Sequence, residues 1–370
     1  MDDARKKILF IHNIMAPYRL PIFRQLAKTY DLKLLFTRIT HTYRRWQIKE
    51  DDLEFNYIVS RGVDLFGARI PFDLLYELAK NKYDLVIVGE SSVEMIPSCL
   101  ISLFFKLAKH TKIILMSERF ETRNTGVQYS LMKRAARTVF DAYLRFLYTR
   151  CDAFVACSSK AADYLVRYAG IEENKIFESL QAIFDVPQSP FKEVKPQGRE
   201  GITILTVAYL EDRKGIDKLI LAFRTTNNAD ARLIIAGDGE VRQKLEAIAF
   251  GYDNIVFMGY VDGAEKRNLY EAADIFVLPS LFETWGLVVN EAMHYGLPVI
   301  ITDAMGSTDL IDGNGIIVPA GDTDALAQAL RRLIQEEDLR KKMGKRSREI
   351  IRRVDLNVVT APFMRAIGSI

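Results

Sequence analysis

Short apolar runs alternate with stretches of helical periodicity along the first half of the chain. The runs predicted as strands are residues 7–12, 32–36, 55–59, 85–88, 113–116 and 153–156. Between them, apolar residues recur at helical spacing, for example in residues 73–80 and 93–108. Strands that alternate with helices build a parallel sheet covered on both faces, so this half is predicted to form a doubly wound α/β domain.

The same alternation begins again after a segment rich in proline and glycine, residues 187–201. The strands predicted there are residues 203–207, 233–236, 255–258, 275–278, 299–301 and 316–318. A chain of 370 residues is long enough for two domains. We therefore predict an N-terminal domain at 1–190, a C-terminal domain at 191–350, and a helical segment at 351–370 that is a candidate for packing back on the N-terminal domain.

The composition, with 49% hydrophobic and 27% charged residues, is typical of a soluble globular enzyme. The three cysteines show no CxxC spacing and the four histidines form no HExxH motif, so neither a disulfide framework nor a protein-held metal is expected. The longest nearly uncharged apolar run, residues 95–105, is too short to cross a bilayer, and the N-terminus lacks a signal-peptide pattern. These features predict a cytoplasmic protein.

Positive charge is concentrated in the first half of the chain. Residues 1–190 carry 28 Lys or Arg against 22 Asp or Glu, a balance of +6, whereas the remainder carries 23 against 26. Residues 127–150 are predicted as a long helix with Arg134, Arg137 and Arg145 on one stripe. A basic amphipathic helix can lie on an anionic membrane, which would make the protein peripheral at the inner membrane face. A solvated helix packed on a sheet has the same pattern, so both interpretations stay open.

The stretch at residues 279–296, P-S-L-F-E-T-W-G-L-V-V-N-E-A-M-H-Y-G, is the strongest candidate for chemistry. It follows the predicted strand 275–278 and resumes as a helix after Gly286, so the free amides predicted at Gly286, Leu287 and Val288 favour an anion such as a phosphate. Glu283 in the loop and Glu291 in the helix then remain as acceptors for hydroxyl groups on either side. A nucleotide diphosphate sugar has this chemistry, although two such glutamates are more often simply solvated.

Other loops at the same edge of the second predicted sheet carry polar residues or glycine. Lys214 lies close to a predicted helix start, where an ammonium group could meet a diphosphate. Gly237 and Gly239 follow one strand, and Gly306 follows another; glycine permits close approach of the backbone. Each signal is weak alone, since Lys before Gly and a lone GxG are common in surface turns.

In the first half, the carboxyl ends of the predicted strands gather a second set of polar side chains. Ligands bind beyond these ends in doubly wound sheets. The candidates there are Asn13, Tyr18, Arg19, Glu118 and Arg119, together with His12, Gly89 and Glu90. Each alone is more often a helix cap or a surface charge, and Glu118 with Arg119 is the best pair because both directly follow a strong strand.

Taken together, F-E-T-W-G-L-V-V-N-E-A-M followed by G-L-P-V-I resembles the E-x7-E signature of family 4 retaining glycosyltransferases. The supporting segments occur in the family's order: V-A-Y-L-E-D-R-K-G, I-A-G-D-G-E, V-F-M-G-Y, A-D-I-F-V-L-P-S and V-P-A-G-D-T-D-A-L. The match is continuous from residue 202 to about 330 and only loose over residues 1–190. The resemblance implies an α/β GT-B fold, in which two Rossmann-like doubly wound domains face a central cleft.

The resemblance also implies roles. Glu283 would bind hydroxyls of the donor sugar, Glu291 would bind the ribose, and Lys214 would neutralise the diphosphate. The other donor-binding candidates are Gly286, Leu287, Val288, Tyr209, Arg213, Gly237, Gly239 and Gly306. A nucleotide-sugar donor and a saccharide or lipid-linked acceptor are expected, with no cofactor and no nucleic acid partner.

Three departures from the family pattern affect these roles. Tyr209 stands where the family commonly has Arg, so phosphate binding would depend on Lys214 or Arg213. The first loop lacks the usual glycine pair, and Glu118 stands where many members have His. The alternatives are a nucleotide-sugar epimerase of the same fold, which would need no acceptor, and a non-catalytic sugar-nucleotide-binding protein.

Overall fold

The structure is a computed structural model that describes residues 5–40, 48, 53–90, 93–121, 131–184 and 201–370. Its chain separates into two compact units. Unit 1 comprises Met1–Phe184 and Leu356–Ile370, and unit 2 comprises Asp185–Asp355. The predicted linker lies outside the described residues except for Gly201, and so do residues 127–130 of the predicted basic helix.

Unit 1 is built on a parallel sheet of seven strands, which are β1 (Lys7–Ile14), β2 (Asp31–Arg38), β3 (Asn56–Val59), β6 (Leu85–Gly89), β7 (Lys112–Ser117), β8 (Ala153–Ala156) and β9 (Ile176–Glu178). Their order in the sheet is β3-β2-β1-β6-β7-β8-β9. Its helices are α1 (Leu20–Thr29), α2 (Phe72–Lys80), α3 (Ile96–Lys109), α4 (Leu131–Tyr148), α5 (Ser159–Ala169) and α12 (Leu356–Gly368). The central strands are almost wholly buried, as expected for a sheet covered on both faces.

The last helix of the chain, α12, belongs to unit 1 rather than to the unit that precedes it in sequence. It packs against α1 and the β8–β9 edge, and the Phe363 and Phe10 rings lie 6.1 Å apart. The hydroxyl of Ser179 donates to the Val359 carbonyl at 2.9 Å. The chain therefore returns to its N-terminal unit after completing the second.

Three strands of unit 1 were not predicted. An antiparallel hairpin of β4 (Gly62–Leu65) and β5 (Ala68–Pro71) stands apart from the main sheet. Its alternation was missed because most of its side chains are exposed or half-buried, so no buried face marks it. β9 was also missed, because three residues at a sheet edge give too short a pattern.

Unit 2 is built on a second parallel sheet of six strands, which are β10 (Ile202–Val207), β11 (Ala231–Ala236), β12 (Ile255–Gly259), β13 (Ile275–Leu278), β14 (Val299–Thr302) and β15 (Gly315–Val318). Their order in the sheet is β12-β11-β10-β13-β14-β15. Its helices are α6 (Ile216–Arg224), α7 (Arg242–Ala249), α8 (Gly263–Ala272), α9 (Leu287–His294), α10 (Thr323–Gln335) and α11 (Glu337–Ile351). The core includes Ile204, Leu233 and Val277 from three neighbouring strands.

Two doubly wound units of this kind confirm the predicted α/β fold class. In both sheets the strand order reverses at the first strand, so that later strands are added on its other side. β1 lies between β2 and β6, and β10 lies between β11 and β13. Such a reversal opens a crevice at the carboxyl ends of the two strands that flank it. Among the helices in the described ranges, none combines the length and the apolar character needed to cross a bilayer.

Candidate active site

The candidate site of unit 2 lies at the strand-order reversal between β10 and β13. The segment after β10 contains Arg213 and Lys214, and the segment after β13 contains Glu283. The two segments are joined directly, since the amide of Leu281 donates to the Arg213 carbonyl at 2.8 Å. Strand order, which the sequence does not show, thus brings together residues about 70 positions apart.

Glu283 is held by two cations. Its Oε2 accepts a hydrogen bond from Lys214 Nζ and lies 3.1 Å from Arg213 Nη1. The side chains of Glu283 and Lys214 are 11% and 12% exposed, so this ion pair is largely shielded from water. Arg213 also pairs with Glu211 at 2.8 Å. The group therefore places positive charge beside a carboxylate at the edge of the sheet.

The start of α9 completes this part of the site. Its N-cap is Gly286 with φ of 92°, which has no side chain to cap the amides that follow. A Cβ at Gly286 would come within 2.9 Å of Met305 and 3.0 Å of Leu278. The indole of Trp285 donates to Asn290 Oδ1 at 2.8 Å, which fixes the loop to the helix. The amides of Leu287 and Val288 lie in the first turn, where the helix dipole favours an anion.

Gly306 allows a second loop to lie against the loop of Glu283. Its amide donates to the Glu283 carbonyl at 3.1 Å, and the Glu283 amide donates to the Ala304 carbonyl at 3.1 Å. A Cβ on Gly306 would lie 2.1 Å from the Thr284 carbonyl oxygen. No side chain larger than hydrogen fits there unless the backbone moves.

Gly237 and Gly239 have the same steric character on the other side of β10. A Cβ on Gly237 would lie 1.8 Å from the Ala208 carbonyl oxygen, and one on Gly239 would lie 2.3 Å from that of Leu210. These glycines therefore pack the loop after β11 against the loop that carries Tyr209. The Tyr209 side chain is itself exposed.

Glu291 has a separate set of partners. Its carboxylate pairs with Lys266 at 2.6 Å and accepts a hydrogen bond from the Tyr270 hydroxyl at 2.7 Å. Tyr270 is buried and stacks on Tyr295, with ring centroids 5.3 Å apart and planes inclined by 3°. Burial, together with the nearby Glu291 carboxylate, raises the pKa of Tyr270 well above its usual value, so that it stays a neutral donor.

Sequence reasoning missed Lys266 and Tyr270. Both lie on α8 at positions i and i+4, and this spacing places them on one face of the helix. That spacing was the available signal, but nothing local connects α8 to a carboxylate on α9. The structure therefore adds two residues that fix how Glu291 is oriented.

In unit 1, the strand-order reversal between β1 and β6 gathers a second polar cluster. Arg19 is buried and donates to Glu118 Oε1 at 2.6 Å, which joins the loop after β1 to the loop after β7. Arg119 lies over the Phe140 ring at 4.9 Å, and Tyr18 stacks beside Arg19 at 5.6 Å. Asn13 is held locally, because its side-chain oxygen accepts from the Ile14 amide at 2.9 Å.

Two buried titratable groups stand beside this cluster. His12 Nδ1 lies 2.9 Å from the Ile14 carbonyl, and burial, with the Arg19 charge, lowers the pKa of His12 to about 3. Glu90 is buried and accepts a hydrogen bond from the Ser117 hydroxyl. Burial raises the pKa of Glu90. Burial therefore favours the neutral form of both side chains.

No group of three or more His, Cys, Asp or Glu side chains in the described ranges is arranged to hold a metal ion. The titratable residues of the unit 2 site instead form pairs of opposite charge, Lys214 with Glu283 and Lys266 with Glu291.

Comparison with known proteins finds a family similarity over most of unit 2. Residues 187–350 match the family of glycosyl transferases group 1. An uncharacterized glycosyltransferase of Methanocaldococcus jannaschii is 30% identical over 224 residues, which is 50% of this chain and 57% of the relative. A phosphatidyl-myo-inositol mannosyltransferase of Mycobacterium leprae is 30% identical over 244 residues, 64% of each chain. The aligned stretches thus span about three fifths of these relatives.

Solved structures extend the likeness to the whole chain at the level of the fold. HepE of Anabaena in complex with UDP has a TM-score of 0.75 at 15% identity, covering 98% of this chain and 100% of that one. A sucrose-phosphate synthase of Thermosynechococcus elongatus has a TM-score of 0.73 at 18% identity, covering 99% of both chains. The fold is GT-B, as the sequence resemblance implied.

Proposed function

We propose that this protein is a retaining glycosyltransferase that moves a hexosyl or related sugar from a nucleotide diphosphate sugar to a hydroxyl acceptor. The product would be a polysaccharide, a glycolipid or another glycoconjugate. The observation that carries the proposal is the shielded Lys214–Glu283 ion pair, joined by the more exposed Arg213, beside the first amides of α9. The relatives of the matched region are transferases, which favours transfer over the epimerase alternative.

The charges of this group suit a diphosphate. In the ligand-free protein Glu283 balances part of the positive charge of Lys214 and Arg213. A diphosphate seated on the α9 amides would take over the two cations, and Glu283 would become available to hydroxyls of the donor sugar. Arg213 would then supply the guanidinium that is absent at Tyr209. Donors already in place stabilise the charge that develops on the leaving phosphate without reorganisation.

Glu291 is proposed to bind the ribose. Each carboxylate oxygen has about two acceptor sites, so it can accept from ribose hydroxyls while Lys266 and Tyr270 hold it in place. The glycines at 237, 239 and 306 would let the surrounding loops lie close to the nucleotide. The nucleotide base of the donor is left unspecified, because HepE is in complex with UDP whereas a mycobacterial relative is a GDP-mannose-dependent enzyme.

The acceptor is proposed to bind unit 1 near Asn13, Tyr18, Arg19, Glu118 and Arg119. Arg19 and Glu118 already form a polar pair at the carboxyl edge of its sheet. The acceptor oxygen would attack the anomeric carbon from the face that the leaving phosphate vacates, and a phosphate oxygen would take the hydroxyl proton. Configuration is then retained without a protein nucleophile or a protein-held metal.

Glu283→Gln tests the proposal. We expect transfer to fall on the order of 100-fold, because the charge that faces the sugar and balances Lys214 is removed. Donors carrying uridine, guanosine and adenosine diphosphates are compared by nucleotide release with and without a saccharide acceptor. Nuclear magnetic resonance of the product reports its anomeric configuration. A first screen by calorimetry with the three free diphosphates identifies the base.

Glu246→Gln is the matched control, because Glu246 lies on α7 and pairs only with Arg242 among the contacts of the described residues. It should transfer sugar as the parent protein does. Normal turnover of Glu283→Gln would remove Glu283 from the site. Inversion of the anomeric centre would refute the retaining mechanism, and sugar interconversion without acceptor would indicate the epimerase.

A further inference from the structure

Helix α3 of unit 1 exposes apolar side chains along its length. Leu100, Phe104 and Leu107, at positions i, i+4 and i+7, are 44%, 62% and 78% exposed. The opposite face of the helix is buried through residues such as Cys99 and Leu103. A helix of a globular unit normally turns its apolar stripe inward, so α3 has one apolar face in the core and a second in solvent.

Helix α2 repeats this arrangement. Phe72, Leu75 and Tyr76 share one exposed face, whereas Leu74 and Leu78 are buried on the other. The helices pack on each other, and Lys109 of α3 fixes them by donating to the carbonyls of Leu78 and Ala79, each at 2.7 Å. The two exposed stripes therefore belong to one rigid surface.

The β4–β5 hairpin adds apolar residues beside these helices. β5 packs against α3, and the turn between the strands carries Phe66, which is 98% exposed. Leu65 and Val63 are exposed on the same hairpin. An exposed apolar patch formed by several elements marks an interaction surface rather than scattered residues. We call the exposed residues of α2, α3 and the hairpin the apolar face of unit 1.

The charged side chains around this face are lysines or acids that pair with a basic side chain. Ile96–Lys109 contains no Asp or Glu, and its two lysines lie near its C-terminal end. Lys106 pairs with Asp152 at 2.5 Å, whereas Lys109 donates only to backbone carbonyls among the contacts of the described residues. Lys80 lies over the Tyr76 ring at 5.4 Å. The acids at the border are paired, Asp73 with Arg61 at 2.8 Å and Asp64 with Arg38. Aliphatic and aromatic side chains bordered by lysines fit the boundary between lipid chains and anionic headgroups.

We propose that the apolar face of unit 1 docks on the surface of an anionic lipid bilayer. Leu100, Phe104, Leu107 and Phe66 enter the headgroup region, and Lys80 and Lys109 remain at headgroup level. This contact is separate from the basic helix predicted at residues 127–150, of which the Arg134 and Arg137 side chains lie outside the described residues. The docking needs no sugar donor, so it stands or falls independently of the proposed transferase activity.

The test is co-sedimentation of the full chain with vesicles of phosphatidylcholine, with and without one third phosphatidylglycerol. The parent protein should pellet with the anionic vesicles and be released by high salt, because salt screens the lysines. Phe104→Asp combined with Leu107→Asp should lower the partition at least tenfold, and Phe66→Asp should lower it in the same direction. These side chains are exposed, so the variants keep the fold, as circular dichroism can verify.

Phe250→Asp is the matched control, since Phe250 is 89% exposed in unit 2, away from the apolar face by sequence and unit. It should pellet like the parent protein. Equal pelleting of the Phe104/Leu107 variant and the parent would overturn the proposal, as would a failure of the parent to bind. Val139 is an exposed residue of α4. If only Val139→Asp loses binding, the membrane contact is made by α4 and the proposal is wrong. Sedimentation velocity tests self-association. If the parent protein is a dimer, the Phe104/Leu107 double variant is a monomer and neither binds vesicles, the apolar face is a dimer interface and the proposal of membrane docking is wrong.

Discussion

Gly306→Ala tests whether the tight contact between two loops sets the geometry of the candidate site. An ideal Cβ at Gly306 would lie 2.1 Å from the Thr284 carbonyl oxygen, whereas ordinary contact begins at 3.4 Å. The difference requires the Thr284 backbone to move by about 1.3 Å, since a packed interior has little room to absorb the methyl group. Thr284 directly follows Glu283, so the displacement reaches the carboxylate.

The magnitude follows from this displacement. A misplacement of about 1 Å in a reacting geometry can lower the rate on the order of 100-fold. Overpacking of this kind also lowers the free energy of unfolding by about 1–3 kcal/mol. We therefore expect a large loss of turnover in a protein that still folds, with a moderate fall in stability.

The assay compares nucleotide release by the parent and the variant, alongside urea unfolding. Gly368→Ala is the control, because a Cβ there meets no atom within 4 Å and requires no positive φ. It should match the parent in both measurements. Turnover of Gly306→Ala within twofold of the parent would refute the link between this close approach and the position of Glu283.

Two predictions concern the buried titratable groups of unit 1. His12 has its pKa lowered to about 3 by burial and by Arg19, so the unfolded chain binds more protons below the usual value of 6.5. The free energy of unfolding should therefore fall by about 2 kcal/mol between pH 7.5 and pH 5. His12→Asn should make this fall smaller. Urea titrations that show the same pH dependence in the variant and the parent would contradict the buried, neutral state of His12. Glu90 has its pKa raised by burial, so the folded protein binds more protons and stability is lost as pH rises above the usual carboxyl value. Glu90→Gln should gain stability over the parent as pH increases from 4 to 7.5, and a constant difference across that range would show that Glu90 is not held protonated.

The unit 2 network also explains how one departure from the family pattern can be accommodated. Tyr209 leaves the site without the usual arginine, but Arg213 lies 3.1 Å from the same Glu283 oxygen that Lys214 contacts. A guanidinium four residues further along the chain therefore lies beside the same carboxylate as Lys214, and we propose that it takes the place of the missing arginine. The position of Arg213 depends on the turn that ends at Gly215, where a Cβ would lie 2.3 Å from the Pro279 carbonyl oxygen.

The sequence by itself determined the repeating units of the fold and the chemical character of the loops. Apolar runs such as 203–207 and 275–278 became β10 and β13, because burial on both faces of a parallel sheet requires continuous apolar residues. Glu283, Glu291 and Lys214 could be singled out because each follows such a run in a recognisable segment. Their roles stay predictions until variants are measured.

Only the tertiary structure decided which of these residues meet. The pairs Lys214–Glu283, Lys266–Glu291 and Arg19–Glu118 join loops and helices that are 69, 25 and 99 positions apart. Such contacts follow from strand order and helix packing, which depend on the whole chain and leave no local periodicity to recognise. The exposed stripes of α2 and α3 show the same limit, because an apolar residue at helical spacing looks alike in sequence whether it faces the core or the solvent.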